Sequence, residues 1–406
     1  MNIKNGMEKC VTVHNPSKAY GGYTLFTQHY SKDVWMIDMQ GRVVQHWDMP
    51  APLGGPVRLL PNGNQMRINK TYKEPTVCLG TVGGKMVEVD WDGKEVWKHE
   101  DLYMHHDYHR LANGNTILLK YVEIPADITA KIKGGLPGTE GLPGTNSKAM
   151  WGDAIQEITP EGKVVWEWIG YEQMDTEIDV LCPLCPRTAW AYFNGLNVLP
   201  NGDIVVSARL LNCLFIIDKK TKKIKWRWGR TELGHQHNPT VLENGNILVF
   251  DNGFHRLAPQ GAPFSIEAHS RVLEINPKND KIEWLYQDKA KHKFFSAPGS
   301  GTGRLPNGNT LICEMVKGRI FEVTPESEIV WEFISPFYEK HDLFGLTNTI
   351  FQAHRYGYDY PGLQGKQLDP ERFELVIREK GKQENGKAKD MPKESEATRR
   401  LRMLGY

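Results

Sequence analysis

Histidine, asparagine and serine recur at one frame of this sequence. Counting five residues back from the leucine that opens each of five Leu-x-Asn-Gly-Asn/Asp segments gives Gly55, His106, Asn194, His237 and Ser300. Around these positions lie His105, His109, Tyr192, His235, Arg209 and Arg355. His354 stands at the corresponding place of a late segment that lacks the turn. Neutral imidazole can act as nucleophile, general base or metal ligand. Arg209 closes the apolar stretch Ile204-Val-Val-Ser-Ala, where a guanidinium is costly unless it meets an anion or a carboxylate. A single histidine beside a turn is more often a structural hydrogen bonder than a catalyst. The recurrence at one frame changes that weighing. His237 and His106 are the leading catalytic candidates, with Arg209, Asn194 and Tyr192 beside them. His354, Arg355 and Ser300 are candidates for holding substrate. Asp107 and the Asp251-Asn252 pair could orient imidazoles, although Asp-Asn after a strand is also ordinary turn chemistry.

The elements that must position these residues form a repeat. The Asn-Gly turn occurs at Leu60, Leu111, Leu199, Leu242 and Leu305, each time leading into an apolar strand. Asn-Gly favours tight hairpins because both residues tolerate positive φ. A second hairpin alternates with it: an apolar strand, a polar turn, then a strand with an aromatic residue. Its six copies run from Ile37 to Trp47, Val89 to Trp97, Ile158 to Trp166, Ile217 to Trp226, Ile275 to Trp284 and Val323 to Trp331. The first copy carries Gln45 where the others carry tryptophan. Two hairpins per period make four strands, and six such periods predict an all-β, six-bladed β-propeller of four-stranded antiparallel blades. The tryptophans read as wedges between blades. The first three strands lack an inner partner, which Asn348 to Tyr356 is expected to supply, closing the ring and removing its open edges. Polar residues at equivalent inner-strand positions then converge on a central tunnel.

On this reading residues 1–22 are a polar lead-in, 23–377 the propeller and 378–406 a Lys/Glu-rich tail, a solvated helix or disorder. Insertions interrupt the repeat at about 123–150, 169–193 and 253–270. The first is rich in Gly and Pro and could be a lid or a plain surface excursion. A net charge of +1 argues against nucleic acid as the main ligand. No apolar run spans a membrane and no apolar leader is seen, so a cytoplasmic protein is expected. Of the six cysteines only Cys182 and Cys185 are close in sequence. One Cys-x-x-Cys does not close a zinc site, so a disulfide, a redox pair or two neighbouring thiols stay open, with a structural or redox role favoured over catalysis.

The run Gln236 to Gly253, with Ile224-Lys-Trp-Arg-Trp-Gly upstream, resembles the bacterial arylsulfotransferase family. So do Asn194 to Arg209, Gly318 to Pro325 and His354 to Gly362. The resemblance covers most of residues 20–365. It implies a six-bladed propeller that moves a sulfuryl group between phenols through a transient sulfohistidine. It implies His237 as nucleophile, Asn194 and Arg209 as holders of the sulfate oxygens, and His106 as a second channel histidine that serves as base. The family's His-x-Asn motif reads Tyr192-Phe193-Asn194 here, so a tyrosine replaces one expected histidine. The expected partner is an aromatic small molecule, with no nucleic acid, no membrane and no cofactor; the sequence leaves the oligomeric state open. The alternative is one transition-metal ion (Zn, Fe or Cu) on His106, His237 and His354, supporting lyase, hydratase or hydrolase chemistry on a small organic molecule. A third reading is a non-catalytic propeller scaffold.

Overall fold

A computed structural model of the chain describes residues 10–71, 83–141, 149–256, 268–341 and 345–373. Six antiparallel sheets form the blades of a propeller. Blade 1 is built from Tyr23–Gln28, Asp33–Ile37 and Val43–Asp48, with Ile350–Tyr356 as its inner strand. The late segment therefore closes the ring, pairing Tyr356 with Tyr23 and His354 with Leu25. Blade 2 begins with the inner strand Leu53–Leu59, blade 3 with Met104–Arg110, blade 4 with Phe193–Val198, blade 5 with His237–Val241 and blade 6 with Gly301–Arg304. Each inner strand touches the next around the ring. The lead-in differs from expectation, because Val11–His14 adds a fifth, outer strand to blade 6, pairing His14 with Trp331. The tail from residue 378 lies outside the described residues. Among the described residues no helix is long and apolar enough to cross a membrane.

Strand alternation distributes the core. In blade 4, Ile204, Val206, Phe215 and Ile217 face blade 3, while Val205, Leu214 and Ile216 face blade 5. Six apolar clusters result among the described residues, one for each blade interface. Each fully buried Val, Leu, Ile or Phe contributes about 1.5–3 kcal/mol relative to exposure.

The repeated motifs are latches. In all five Leu-x-Asn-Gly turns only the glycine is left-handed, with φ between 83° and 88°. The asparagine stays at negative φ, contrary to expectation, and uses its side chain. Asn62 Oδ1 accepts the Asn64 N–H at 3.0 Å, and Asn113, Asn201, Asn244 and Asn307 do the same. This is a longer hairpin, a turn followed by a left-handed bulge glycine, rather than a two-residue one. The following asparagines, Asn64, Asn115, Asn246 and Asn309, donate to Glu88, Glu157, Glu274 and Glu322 on the third strands. The aromatic residues join neighbouring blades, as the sequence suggests. Trp97, Trp166, Trp226, Trp284 and Trp331 each donate an indole N–H to the outer turn of the next blade, Trp331 reaching Met39 of blade 1 across the closure. Gln45 and Trp47 both donate to Trp91 O, so the exceptional first copy fills the same role.

Antiparallel order gives the ring two unlike ends. Both kinds of repeated turn lie at one end. At the other lie the starts of inner strands, the ends of second strands and all three insertions. There the first two insertions meet: Gly134–Leu136 pairs in parallel with Leu181–Pro186, and Arg187 bonds Glu140, Gly134 O and Thr139. Residues 142–148 and 257–267 lie outside the described residues.

Candidate functional site

Five of the six inner strands pair irregularly toward the end that carries the insertions; blade 6 pairs without a bulge. In blade 3, Tyr108 opposes Leu118 but His105 opposes Leu119, so His106 and Asp107 bulge out. In blade 4 Asn194 and Gly195 face Ser207 alone, and in blade 5 Asn238 and Pro239 face Val249 alone, just past His237. Blade 2 bulges at Gly54-Gly55-Pro56. Bulges re-aim side chains, and here they fall at the frame found in the sequence. Left-handed φ values at His106, Ala191, Tyr192, His235, Asn238 and Ser300 accompany them. Several such residues in a row at one end mark strain held by surrounding structure, a common attribute of functional sites.

His237 is the best-defined group. Its Nδ1 lies 2.8 Å from Asn252 Oδ1. Asn252 Nδ2 donates to Ser296 O at 2.7 Å and Gly299 O at 2.9 Å, which fixes the amide with its oxygen toward the ring. An amide oxygen only accepts, so His237 Nδ1 carries the proton and Nε2 keeps its lone pair. Burial, and next the charge of Arg209, push the His237 pKa down to about 3, so the ring stays neutral. Arg209 begins the short turn after its strand, is buried, and has its guanidinium 5.7 Å from the centre of the Tyr192 ring. Its charge also depresses His106 and His235. One buried cation thus serves three imidazoles. Asn194 donates to Gln236 O at 2.8 Å, while its Oδ1 is buried with no hydrogen-bond partner among the described residues.

His106 stands across from this group. Its ring meets that of Tyr192 edge-on at 4.9 Å, and its Nδ1 lies 2.8 Å from His105 Nδ1. Burial, then His105, His237, Arg209 and His29, hold it neutral. His105 stacks on Tyr121 at 3.7 Å, and its Nε2 lies 3.4 Å from Asp153 Oδ1. Burial lifts the Asp153 pKa to about 8, against N–H donation from Phe193 and Tyr192. Burial also raises both Tyr121 and Tyr192, so these phenols keep their protons. Tyr121, Asp153 and His29 were not legible in the sequence, since none lies in the repeated frame.

Other expected residues sit elsewhere. The blade 1 bulge falls at Phe351-Gln352, opposite Thr27, so His354 is two residues past it. It therefore corresponds to His109, not His106, and both feel the charge of Arg58. His106, His237 and His354 do not gather into a metal-sized group among the described residues. Arg355 lies on the opposite face of that strand. It stacks on Trp331 at 4.4 Å, bonds Thr24 and Tyr20, and approaches Glu322 at 3.5 Å. Arg110 and Arg304 repeat this on Trp97 with Glu88 and on Trp284 with Glu274, so Arg355 is a blade-to-blade latch. Ser300 donates to Ser296 and accepts from Met315 N, supporting the segment that holds Asn252. Asp107 accepts from Arg58 and Leu196 N rather than from an imidazole. His235 turns away from this group, toward sulfur. Its Nε2 lies 3.2 Å from Cys185 Sγ, and His255 Nδ1 lies 3.4 Å from Cys185 Sγ and 3.5 Å from Cys182 Sγ.

The match of a family model then decides the family. The model described as "Arylsulfotransferase (ASST)" matches residues 72–336, more than half of the chain. The chain belongs to the arylsulfotransferase family. No curated protein sequence matches it. A solved protein of unknown function from Bacteroides caccae shares the fold, with TM-score 0.52 and 14% identity over 82% of this chain and 98% of that one. A streptogramin B lyase structure follows at TM-score 0.45 and 12% identity, over 84% and 94% of the two chains. Virginiamycin B lyase from Staphylococcus aureus, solved as a catalytically inactive variant with quinupristin, is similar at TM-score 0.39 and 13% identity, over 70% of each chain. Family membership supports a sulfotransferase-like activity in general terms.

Proposed function

We propose that the chain transfers a sulfuryl group from an aryl sulfate to a phenolic acceptor, with His237 Nε2 as the nucleophile. The observation that carries this reading is the Asn252 amide, which puts the proton of His237 on Nδ1 and the lone pair on Nε2. In the first half-reaction Nε2 attacks sulfur, the N–S bond forms and the S–O bond to the arene breaks. The departing phenolate takes a proton from a neighbouring acid. His106 is neutral, so the proton originates on Asp153 and is handed on through the rings of His105 and His106. In the second half the acceptor phenol gives its proton to the group that lost one, attacks sulfur and frees His237. Arg209 and an N–H of Asn194 oppose the negative charge of the sulfuryl oxygens, an electrostatic contribution that grows in a buried site. The ring of Tyr192, edge-on to His106 and near Arg209, is the aromatic surface placed to meet the arene.

The test uses the full chain with 4-nitrophenyl sulfate and phenol. The expected result is nitrophenolate release and a sulfated peptide containing His237, both absent in His237→Ala. Unchanged nitrophenolate release in His237→Ala would overturn the reading, as would a panel of aryl sulfates that yields neither release nor a sulfated peptide.

A further inference from the structure

Cys182, Cys185, His235 and His255 offer four ligand atoms that all lie within 4.8 Å of one another. For tetrahedral zinc, with Zn–S about 2.3 Å and Zn–N about 2.0–2.1 Å, sulfur and nitrogen ligands stand about 3.5 Å apart. The three S···N separations of 3.2, 3.4 and 3.5 Å fit that shape. Both thiols are unoxidised and buried, as is His235. The set is two soft sulfurs and two imidazoles with four protein ligands, which suits a closed site and selects zinc among common divalent ions. Two thiolates also balance a dication, so the buried centre is neutral once two protons leave on binding.

We propose that Cys182, Cys185, His235 and His255 bind one zinc-type ion in a closed tetrahedral site that fixes the end of the propeller carrying His237. The four ligands come from three separate pieces of chain. The second insertion supplies both cysteines through its strand Leu181–Pro186. The segment leading into blade 5 supplies His235, and the start of the third insertion supplies His255. Both histidines are left-handed, at φ 53° and 58°. Asn212 ties them from behind, accepting the His235 N–H at 2.9 Å and donating to His255 O. The turn that ends at Asn212 begins at Arg209, whose N–H bonds Tyr192 O, with Leu210 N–H on Ala191 O. Gln236, between His235 and His237, is fastened to Ser207 and Cys213. An ion at the cluster therefore restrains Arg209, Tyr192 and His237 together without touching the reacting atoms. This metal site is separate from His237 as nucleophile and stands whether or not sulfuryl transfer does.

The test is elemental mass spectrometry of the untagged full chain, purified under reducing conditions. The expected content is one zinc per chain, lost in the Cys182→Ser, Cys185→Ser double variant and kept in His237→Ala. Because the double variant can fail to fold, cobalt exchanged into the wild-type chain is the second measurement. It should show intense visible bands and thiolate-to-cobalt charge transfer, the signature of a tetrahedral site with sulfur ligands. Trace metal with no cobalt uptake would overturn the proposal, as would a Cys182–Cys185 disulfide in the reduced preparation. Metal retained by the folded double variant would do so too.

Discussion

His235 and His237 are two residues apart, and the fold gives them opposite surroundings. The ring of His235 ends 3.2 Å from a cysteine sulfur, inside a group whose four donor atoms face one another. The ring of His237 is anchored through Nδ1 to Asn252, and its other nitrogen keeps a lone pair beside Arg209. One set satisfies itself with a closed shell of donors. The other is held by the Asn252 amide and the His235 backbone. The difference lies in what meets each ring: two thiols from an insertion, or an amide whose own N–H bonds are already committed. Donor types alone do not make a reactive site; a restrained group with an unused valence does.

Four perturbations press on that contrast. Alanine at His237 should have the largest effect, lowering aryl sulfate turnover by on the order of 10⁴-fold or more while zinc content stays unchanged. Loss of metal in that variant would merge the two regions into one site. Asn252→Leu should come next, reducing kcat by about 10²-fold, because the imidazole can then take either tautomer. Its metal content and fold, read by circular dichroism, should match wild type. Serine at Cys185 should release the ion and lower kcat by about 10-fold, the low end of what outer-shell support contributes, with a clear drop in Tm. Full activity and an unchanged Tm in the metal-free variant would show the cluster to be without consequence for His237.

The smallest effect is a pH dependence on the His106 side. Asp153 binds its proton up to about 8 in the folded chain, against 3.8 ordinarily, facing His105, Tyr121 and Tyr192. Between those values the unfolded chain has released the proton and the folded chain has not. The contribution of Asp153 to folding stability therefore declines as pH rises from about 4 toward 8, while the buried histidines that stay neutral down to about 3 contribute in the opposite direction up to about 6.5. Asp153→Asn removes this contribution, so the wild-type denaturant midpoint, taken relative to the variant's, should fall across that range. A difference between wild type and variant that does not fall in this window would show that Asp153 is ionised in the native state.

The scaffold was the legible part of this sequence. Asn-Gly turns and single tryptophans report local needs, a left-handed glycine and a wedge for the next blade, and six repetitions average out any exception. Gln45 illustrates this: it broke the pattern by residue type and kept it by hydrogen bond. The frame of His106, Asn194 and His237 was legible for the same reason. His354 was placed two residues out of step, because the bulge that defines the frame is a two-against-one pairing with another strand, and no single strand records its partner's register. Arg355 looked like a substrate ligand until the equivalent stacking of Arg110 and Arg304 showed it to be a latch.

The sequence by itself determined the blade count, the ring closure and the inner-strand frame, because each follows from short-range preferences repeated along the chain. The tertiary structure alone decided which histidine meets the Asn252 amide and which joins the cysteines. Cys182 and His255 are 73 residues apart, and His237 and Asn252 are 15 apart across a strand pair. Contacts of that kind depend on how separate insertions and bulges meet at one end of the ring. Local preference carries no record of them, since the energy that selects them exists only once the blades have packed.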